Sequence, residues 1–120
     1  MSNKLSKNTF TMQNPPTIKS FASIVGKKEG EGPIGHCFDK IEDDSYFGQD
    51  TWEKAESELQ KQTVQTALSK ASLSPEQIDF IFAGDLLNQC IGSTFGLRSL
   101  NIPFLGIYGA CSTIAEGLLL

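Results

Sequence analysis

The sequence predicts a layered α/β fold with a mostly parallel sheet. Two nearly continuous apolar runs, at 78–83 and 102–108, have the length and composition of strands that are buried on both faces. A long stretch with helical periodicity, at 50–71, precedes them, and a helix-compatible stretch at 88–100 separates them. Strands that alternate with helices in this way are typical of parallel sheets, because each parallel connection needs a crossover segment.

Composition limits the class of protein. The chain has 120 residues, of which 39% are hydrophobic and 20% are charged, and its formal net charge is −4. This is a globular composition of single-domain size. Lys and Arg are scattered without an aromatic-interleaved basic stripe, so no nucleic acid is expected as a partner. Three cysteines without a C-x-x-C pair indicate reduced thiols in a cytosol-like compartment.

The two ends of the chain differ in character. Residues 1–17 are rich in Ser, Asn, Thr and Pro, and we expect a flexible N-terminal arm there without the apolar run of a signal peptide. No run reaches the ~18 apolar residues of a membrane span. The chain stops inside the apolar segment 114–120, which has no helix-stop signal. We therefore expect residues 18–120 to form an incomplete half-domain.

The first predicted strand covers residues 18–25 and ends at Gly26. The following stretch, 27–33, is too rich in glycine and charge for regular structure, and irregular chain is expected to continue over 39–48. This part of the chain is interpreted as an excursion over the surface.

The clearest predicted helix covers residues 50–71. Asp50 is the predicted N-cap, and Glu53 is placed to complete a capping box. The apolar stripe of the helix consists of Trp52, Ala55, Leu59, Val64, Ala67, Leu68 and Ala71. Its charged residues, Glu56 among them, are assigned mostly to the other face.

The second half of the chain contains the remaining elements. Ser74 and Gln77 predict a second cap and one short turn before the strand at 78–83. Small residues at Gly92, Ser93 and Gly96 weaken the helix at 88–100 but allow a neighbouring backbone to approach closely. The strand at 102–108 then leads through a sharp turn, 109–113, into the last helical segment.

Cys111 lies in this turn of small residues, at the point where a buried strand changes into a helix. A helix N-terminus carries free N–H groups and partial positive charge, which stabilise a thiolate and attract anions. The turn also places the side chain at the carboxyl edge of the sheet, where open α/β sheets bind ligands. Two interpretations stay open, a small core residue or a reactive or ligand-facing thiol.

Four segments of the chain resemble a family of sporulation proteins of spore-forming Firmicutes, within the thiolase-like superfamily. They are GPIGH at 32–36, AGDLLNQ at 83–89, IPFL at 102–105 and GACST at 109–113. The resemblance spans residues 18–120 and implies a thiolase-like fold of which only most of the first half is present. In the enzymes of the superfamily, a Cys at the position of Cys111 is acylated, and downstream His with His or Asn complete the site.

For this family, the resemblance implies ligand binding instead of acyl transfer. The implied role is that of the soluble component of a membrane channel complex, which loads dipicolinic acid, as its calcium chelate, into the developing spore and releases it at germination. The implied location is cytoplasmic and peripheral to the inner forespore or spore membrane. Other stage V sporulation channel proteins are the implied partners, and a homodimer is the implied assembly. No cofactor is implied beyond calcium carried with the dipicolinate.

The implied ligand site combines Cys111, Ser112, Asp85, Asn88 and Glu116. A helix N-terminus at Cys111 and Ser112 would supply donors for the two carboxylates of the ligand. Asp85 and Asn88 follow a strand at the carboxyl edge of the sheet, and Asp85 either holds the calcium of the ligand or caps the next helix. Glu116 either faces the pocket or pairs with a neighbour, and no metal site is expected from the cysteine and histidine spacing.

Two other classes of function stay open. In an acyltransferase, Cys111 would form a thioester as the nucleophile, and the whole protein would condense or cleave acyl groups. In an interaction protein, the pocket would be vestigial. The downstream His and Asn residues that the enzymes use do not occur in the sequence up to Leu120. Binding is the preferred hypothesis, because it is the role that the resemblance implies.

Overall fold

The N-terminal segment forms a β-hairpin. The computed structural model describes residues 2–120, with side chains for residues 5–9 and 11–120. Strands β1 (Ser2–Ser6) and β2 (Thr9–Met12) pair antiparallel. Their Ser, Asn and Thr content did not predict regular structure. The flexible arm predicted at 1–17 includes Met1, which lies outside the described residues. The division of the chain into this arm and a half-domain at 18–120 stays a prediction.

The first parallel pair consists of β3 (Ile24–Gly26) and β4 (Lys40–Glu42). They are connected by α1 (Lys27–Gly30) and a 3-10 turn at Gly35–Cys37. The predictions of irregular chain at 27–33 and 39–48 are therefore wrong at these positions. Because β4 is short and mostly exposed, it has no apolar alternation that could have revealed it. The strand predicted at 18–25 is shorter than expected, since only its end pairs with β4.

Helix α2 (Trp52–Ala71) is the long helix that the sequence predicts, but its cap differs. Thr51 is the N-cap, and its hydroxyl oxygen accepts the backbone N–H of Lys54 at 3.3 Å. Asp50 instead forms an ion pair with the Lys54 ammonium group at 2.7 Å. Glu53 closes no capping box, because with Thr51 as the N-cap the third helical position is Lys54 and not Glu53. The Glu53 carboxylate instead accepts a hydrogen bond from the Asn88 side chain.

The second parallel pair consists of β5 (Ile81–Ala83) and β6 (Phe104–Gly106). The pair confirms the predicted α/β class with parallel strands. Both strands are shorter than the apolar runs at 78–83 and 102–108, although the Ile107 N–H extends the ladder by bonding the Ala83 carbonyl at 2.8 Å. The expected burial on both faces is not reached within the described residues, since Phe82 of β5 is 40% exposed.

Helix α3 (Ile91–Leu97) continues into a 3-10 turn at Arg98–Leu100, and α4 (Thr113–Leu119) ends the chain. The helix predicted at 88–100 begins later than expected, because residues 88–90 have left-handed backbone. The small residues of α3 pack on α2 as predicted. A Cβ at Gly96 would overlap the carbonyl oxygen of Ser57, so glycine permits this close approach.

The apolar core of the described residues is small. Its buried members are Ile24, Ala55, Leu97, Leu100 and Ile107. Helix α4, in contrast, exposes apolar side chains, among them Ile114 at 72% and Leu118 at 71%. Within residues 2–120, no helix has the length and apolar character needed to cross a membrane.

Candidate functional site

The candidate site lies at the sheet edge where β5 and β6 end. Because the two strands are parallel and Ala83 lies opposite Gly106, the loop 84–90 and the turn 107–112 leave the sheet side by side. Gly84 permits this proximity, since a Cβ there would overlap the carbonyl oxygen of Ile107. The structure thus brings together the two segments that carry the predicted site residues.

Cys111 is an exposed free cysteine in the 3-10 turn Ala110–Ser112. Helix α4 begins two residues later, so the expectation that Cys111 lies at a helix N-terminus is corrected to this preceding turn. Cys111 lines a cavity of about 540 Å³ together with Phe82, Leu86 and Ile114. Cys111 is exposed among the described residues, and its role as a reactive or ligand-facing thiol stays a prediction.

Ser112 and Glu116 flank Cys111 on the side of α4. The Ser112 hydroxyl donates to the Gly109 carbonyl oxygen at 2.6 Å, so it stabilises the turn. Glu116 is exposed one helical turn further on, and its carboxylate lies close to Gly109. The structure therefore places both residues near the turn that carries Cys111, but neither of them lines the cavity that Cys111 lines.

Asp85 is buried and has three hydrogen-bond donors around it. Its carboxylate accepts the backbone N–H of Cys90 at 2.8 Å, the N–H of Ser93 at 2.8 Å and the Ser93 hydroxyl at 3.0 Å. These bonds cap the start of α3. The sequence left two roles open for Asp85. Its described contacts are those of a helix cap, and the binding of the ligand's calcium by Asp85 stays an expectation.

Asn88 lies in a strained part of the loop. Asn88, Gln89 and Cys90 have φ values of 46°, 53° and 70°, so three successive residues other than glycine are left-handed. Such residues are unfavourable by roughly 1 kcal/mol or more each and persist only where neighbouring contacts hold them. The exposed Asn88 amide donates to the Glu53 carboxylate at 2.7 Å, which is one such contact.

Glu56 is a residue of this edge that sequence reasoning missed. One of its carboxylate oxygens accepts the Leu86 N–H at 3.1 Å, whereas the other is buried and has no hydrogen-bond partner among the residues that the structure describes. Burial, together with the negative charge of Asp85, raises the pKa of the Glu56 carboxyl above its usual value. The missed signal was its position, because residue 56 lies on the same helical stripe as Trp52 and Leu59.

A second cavity, of about 490 Å³, adjoins the one that Cys111 lines. Leu86, Ala110 and Thr113 line both cavities. Glu56 and Asp85 line only the second cavity, together with aromatic side chains that include Phe47 and Trp52. The Trp52 ring stacks on Tyr46 with 4.3 Å between ring centroids. The edge therefore presents an exposed thiol, two carboxyl groups and aromatic surface around adjoining cavities.

Comparison with known proteins gives two findings. The family model described as stage V sporulation protein AD matches residues 6–120. Stage V sporulation protein AD of Bacillus subtilis (strain 168) is 42% identical over 110 residues, which cover 92% of this chain and 32% of the relative. The chain thus spans about a third of the length of the curated relative that it matches.

Proposed function

Because the chain belongs to the stage V sporulation protein AD family, we propose that it is the part of a sporulation protein that binds dipicolinate or calcium dipicolinate. The observation that carries this proposal is the pair of adjoining cavities at the edge where β5 and β6 end, one of them lined by Cys111. Their volumes suit a small molecule. Ser112 and Glu116 flank the same turn, and Asp85 and Asn88 belong to the opposite loop.

Aromatic surface supports a planar ligand. Trp52 and Phe47 line the cavity of about 490 Å³, and a pyridine ring can pack against such faces. The same cavity has two carboxyl groups, Glu56 and Asp85, and none of the described residues that line it is Lys, Arg or His. This charge balance favours a ligand that brings a cation, so the calcium chelate fits this cavity better than the free dianion.

The wider role is part of the same proposal. The whole protein takes up dipicolinate into the developing spore and releases it on germination, as a peripheral component on the cytoplasmic face of the inner forespore or spore membrane. Its partners are other stage V sporulation channel proteins, and the protein acts as a homodimer. Family membership supports these statements, and calcium enters with the ligand instead of residing in the protein.

Calorimetric titration of dipicolinate and of calcium dipicolinate into the full-length protein tests the proposal. The substitution Cys111→Trp fills the cavity that Cys111 lines, which shares Leu86, Ala110 and Thr113 with the cavity of Glu56 and Asp85. Because a bulky ring there also crowds the shared wall, we expect affinity to fall at least about tenfold. Cys37→Trp is the matched control, because Cys37 is also exposed but lines neither cavity. Unchanged affinity of the Cys111 variant contradicts this placement of the site, and no binding by the unaltered protein contradicts the function.

An acyltransferase is the second candidate, and the exposed Cys111 thiol is the observation that favours it. The thiolate would attack a thioester carbonyl, form the Cys111 acyl-enzyme and release the free thiol of the acyl donor. Incubation of the full-length protein with an acyl-thioester, followed by mass spectrometry, tests this candidate. A stable mass increase on Cys111 but not on Cys37 supports it, and unmodified Cys111 rejects it.

A further inference from the structure

Four polar residues of α2 contact the segment that follows β5. We call them the loop-facing stripe, and they are Glu53, Glu56, Ser57 and Gln60. Their spacing of three, four and seven residues from the first places them on one face of the helix. Each forms a hydrogen bond with the segment 84–92, so α2 holds this segment along most of its length.

The bonds of the stripe are distributed over both ends of the segment. At its start, the Gln60 amide donates to the Gly84 carbonyl at 3.4 Å. Glu56 accepts the next free N–H, from Leu86. At the far end, the Ser57 hydroxyl donates to the Gly92 carbonyl at 2.9 Å. These bonds span sequence separations of 24 to 35 residues, so none of them forms within an isolated loop.

Glu53 has a separate part in this arrangement. It accepts from the side chain of Asn88, the first of the three left-handed residues. Glu53 is not among the residues that line either cavity at the sheet edge. Glu53 can therefore act on a ligand in these cavities through the loop, or through its negative charge, which also acts on the Glu56 carboxyl. The Glu53→Gln variant separates the two routes, because it keeps an acceptor oxygen and removes the charge.

We propose that Glu53 is a positioning residue, which holds the strained loop 84–90 in the conformation that binds ligand. This inference rests on the proposed function and adds to it a residue outside the cavities. Asp85 and Leu86 belong to this loop and line the cavities. Relaxation of the left-handed residues would therefore move part of the cavity wall. The Asn88 bond to a carboxylate is short and charge-assisted, and it restrains the first of the three left-handed residues directly.

Two measurements on the full-length protein test the inference, dipicolinate affinity and amide hydrogen exchange over residues 84–90. For Glu53→Ala, we expect affinity to fall about five- to tenfold and exchange in the loop to accelerate. Glu53→Gln keeps an acceptor oxygen, so its affinity for dipicolinate and its exchange rate in the loop should be close to those of the unaltered protein. Glu58→Ala is the control from the same helix, since Glu58 contacts Gln62 and Lys61 and not the loop.

The outcomes separate this inference from the proposed function. If the Glu53→Ala and Glu58→Ala variants show the same exchange rates and the same affinity, Glu53 is not a positioning residue. Faster exchange with unchanged affinity overturns the link between loop and ligand. If the unaltered protein binds no dipicolinate, the proposed function fails, and the exchange data alone then decide whether Glu53 holds the loop. Asn88→Ala should reproduce the effect of Glu53→Ala, and combining the two should add little, because both remove the same bond.

Discussion

The loop after β5 and the turn after β6 leave the same edge of the sheet, but they are held differently. Loop 84–90 is tied to α2 by bonds from distant residues, and its Asp85 carboxylate is buried among three donors. The turn that carries Cys111 is held by local bonds, such as those of Gly109 with Ser112 and Thr113. One wall of the site therefore depends on tertiary packing, whereas the other depends on the geometry of a few consecutive residues.

Asp85→Ala should have the most severe effect on the wall formed by loop 84–90. The variant leaves the N–H groups of Cys90 and Ser93 and the Ser93 hydroxyl without their acceptor in a buried place. We expect the free energy of unfolding of the full-length protein to fall by about 3 kcal/mol in urea denaturation. Asp85→Asn keeps one acceptor oxygen and should lose clearly less. A loss below about 1 kcal/mol for the alanine variant would show that the cap is not important for stability.

Glu56→Gln should have a smaller effect of opposite sign. The folded-state pKa of Glu56 lies above its unfolded value, so ionisation opposes folding. The folded protein therefore has its full stability below the pKa of Glu56 in the unfolded state, where the carboxyl is neutral. It loses stability as the pH rises through the pKa of Glu56 in the folded state. The glutamine variant should therefore gain up to about 1 kcal/mol near neutral pH, after allowance for solvent screening, and nothing in acid.

Urea denaturation at several pH values measures this difference. Glu58→Gln is the control, because Glu58 lies on the same helix and both of its carboxylate oxygens have partners, Gln62 and Lys61. That variant should not gain stability. If the free energy of unfolding of Glu56→Gln changes with pH in parallel with that of the unaltered protein, burial does not oppose the ionisation of Glu56.

Ser112→Ala should have the smallest effect, on the locally held side. Its exposed hydroxyl makes one hydrogen bond, to Gly109, which water can replace. We expect a loss within about 0.5 kcal/mol, whereas the same substitution at the buried Ser93 should cost about 1–2 kcal/mol. Equal losses at the two serines in urea denaturation would remove the contrast between the two walls.

Elements with local or periodic signals could be predicted from the sequence. The long helix repeats its apolar positions over five turns, and the Ser74–Gln77 capping box needs only four residues. Strand β4 could not be predicted, because its partner β3 is distant in sequence and its own residues are mostly exposed. The sequence predicts Asp50 as the cap, but Thr51 is also a suitable residue type. Only the backbone conformation decides between the two, and it makes Thr51 the cap.

For the site, the sequence predicted which segments meet but not what their side chains bond. Parallel strands necessarily bring 84–90 and 107–112 to one edge, so Asp85 and Cys111 could be assigned to it. The partners of Glu53 and Glu56 depend on how α2 packs over the loop. That packing is set by close approaches such as Gly96 against Ser57, which no periodicity reveals. The ligand roles of Cys111, Ser112, Asp85, Asn88 and Glu116 stay predictions.

The absence of a side chain at Gly84 limits how the site can open. The backbone after β5 lies against the Ile107 carbonyl, at a separation that leaves no room even for a methyl group. The next hydrogen bond, from Ile107 to Ala83, ties the same two segments together. We therefore expect the two strand ends to stay together, so that any movement at this edge takes place in the segments that follow the strands and not between the strands.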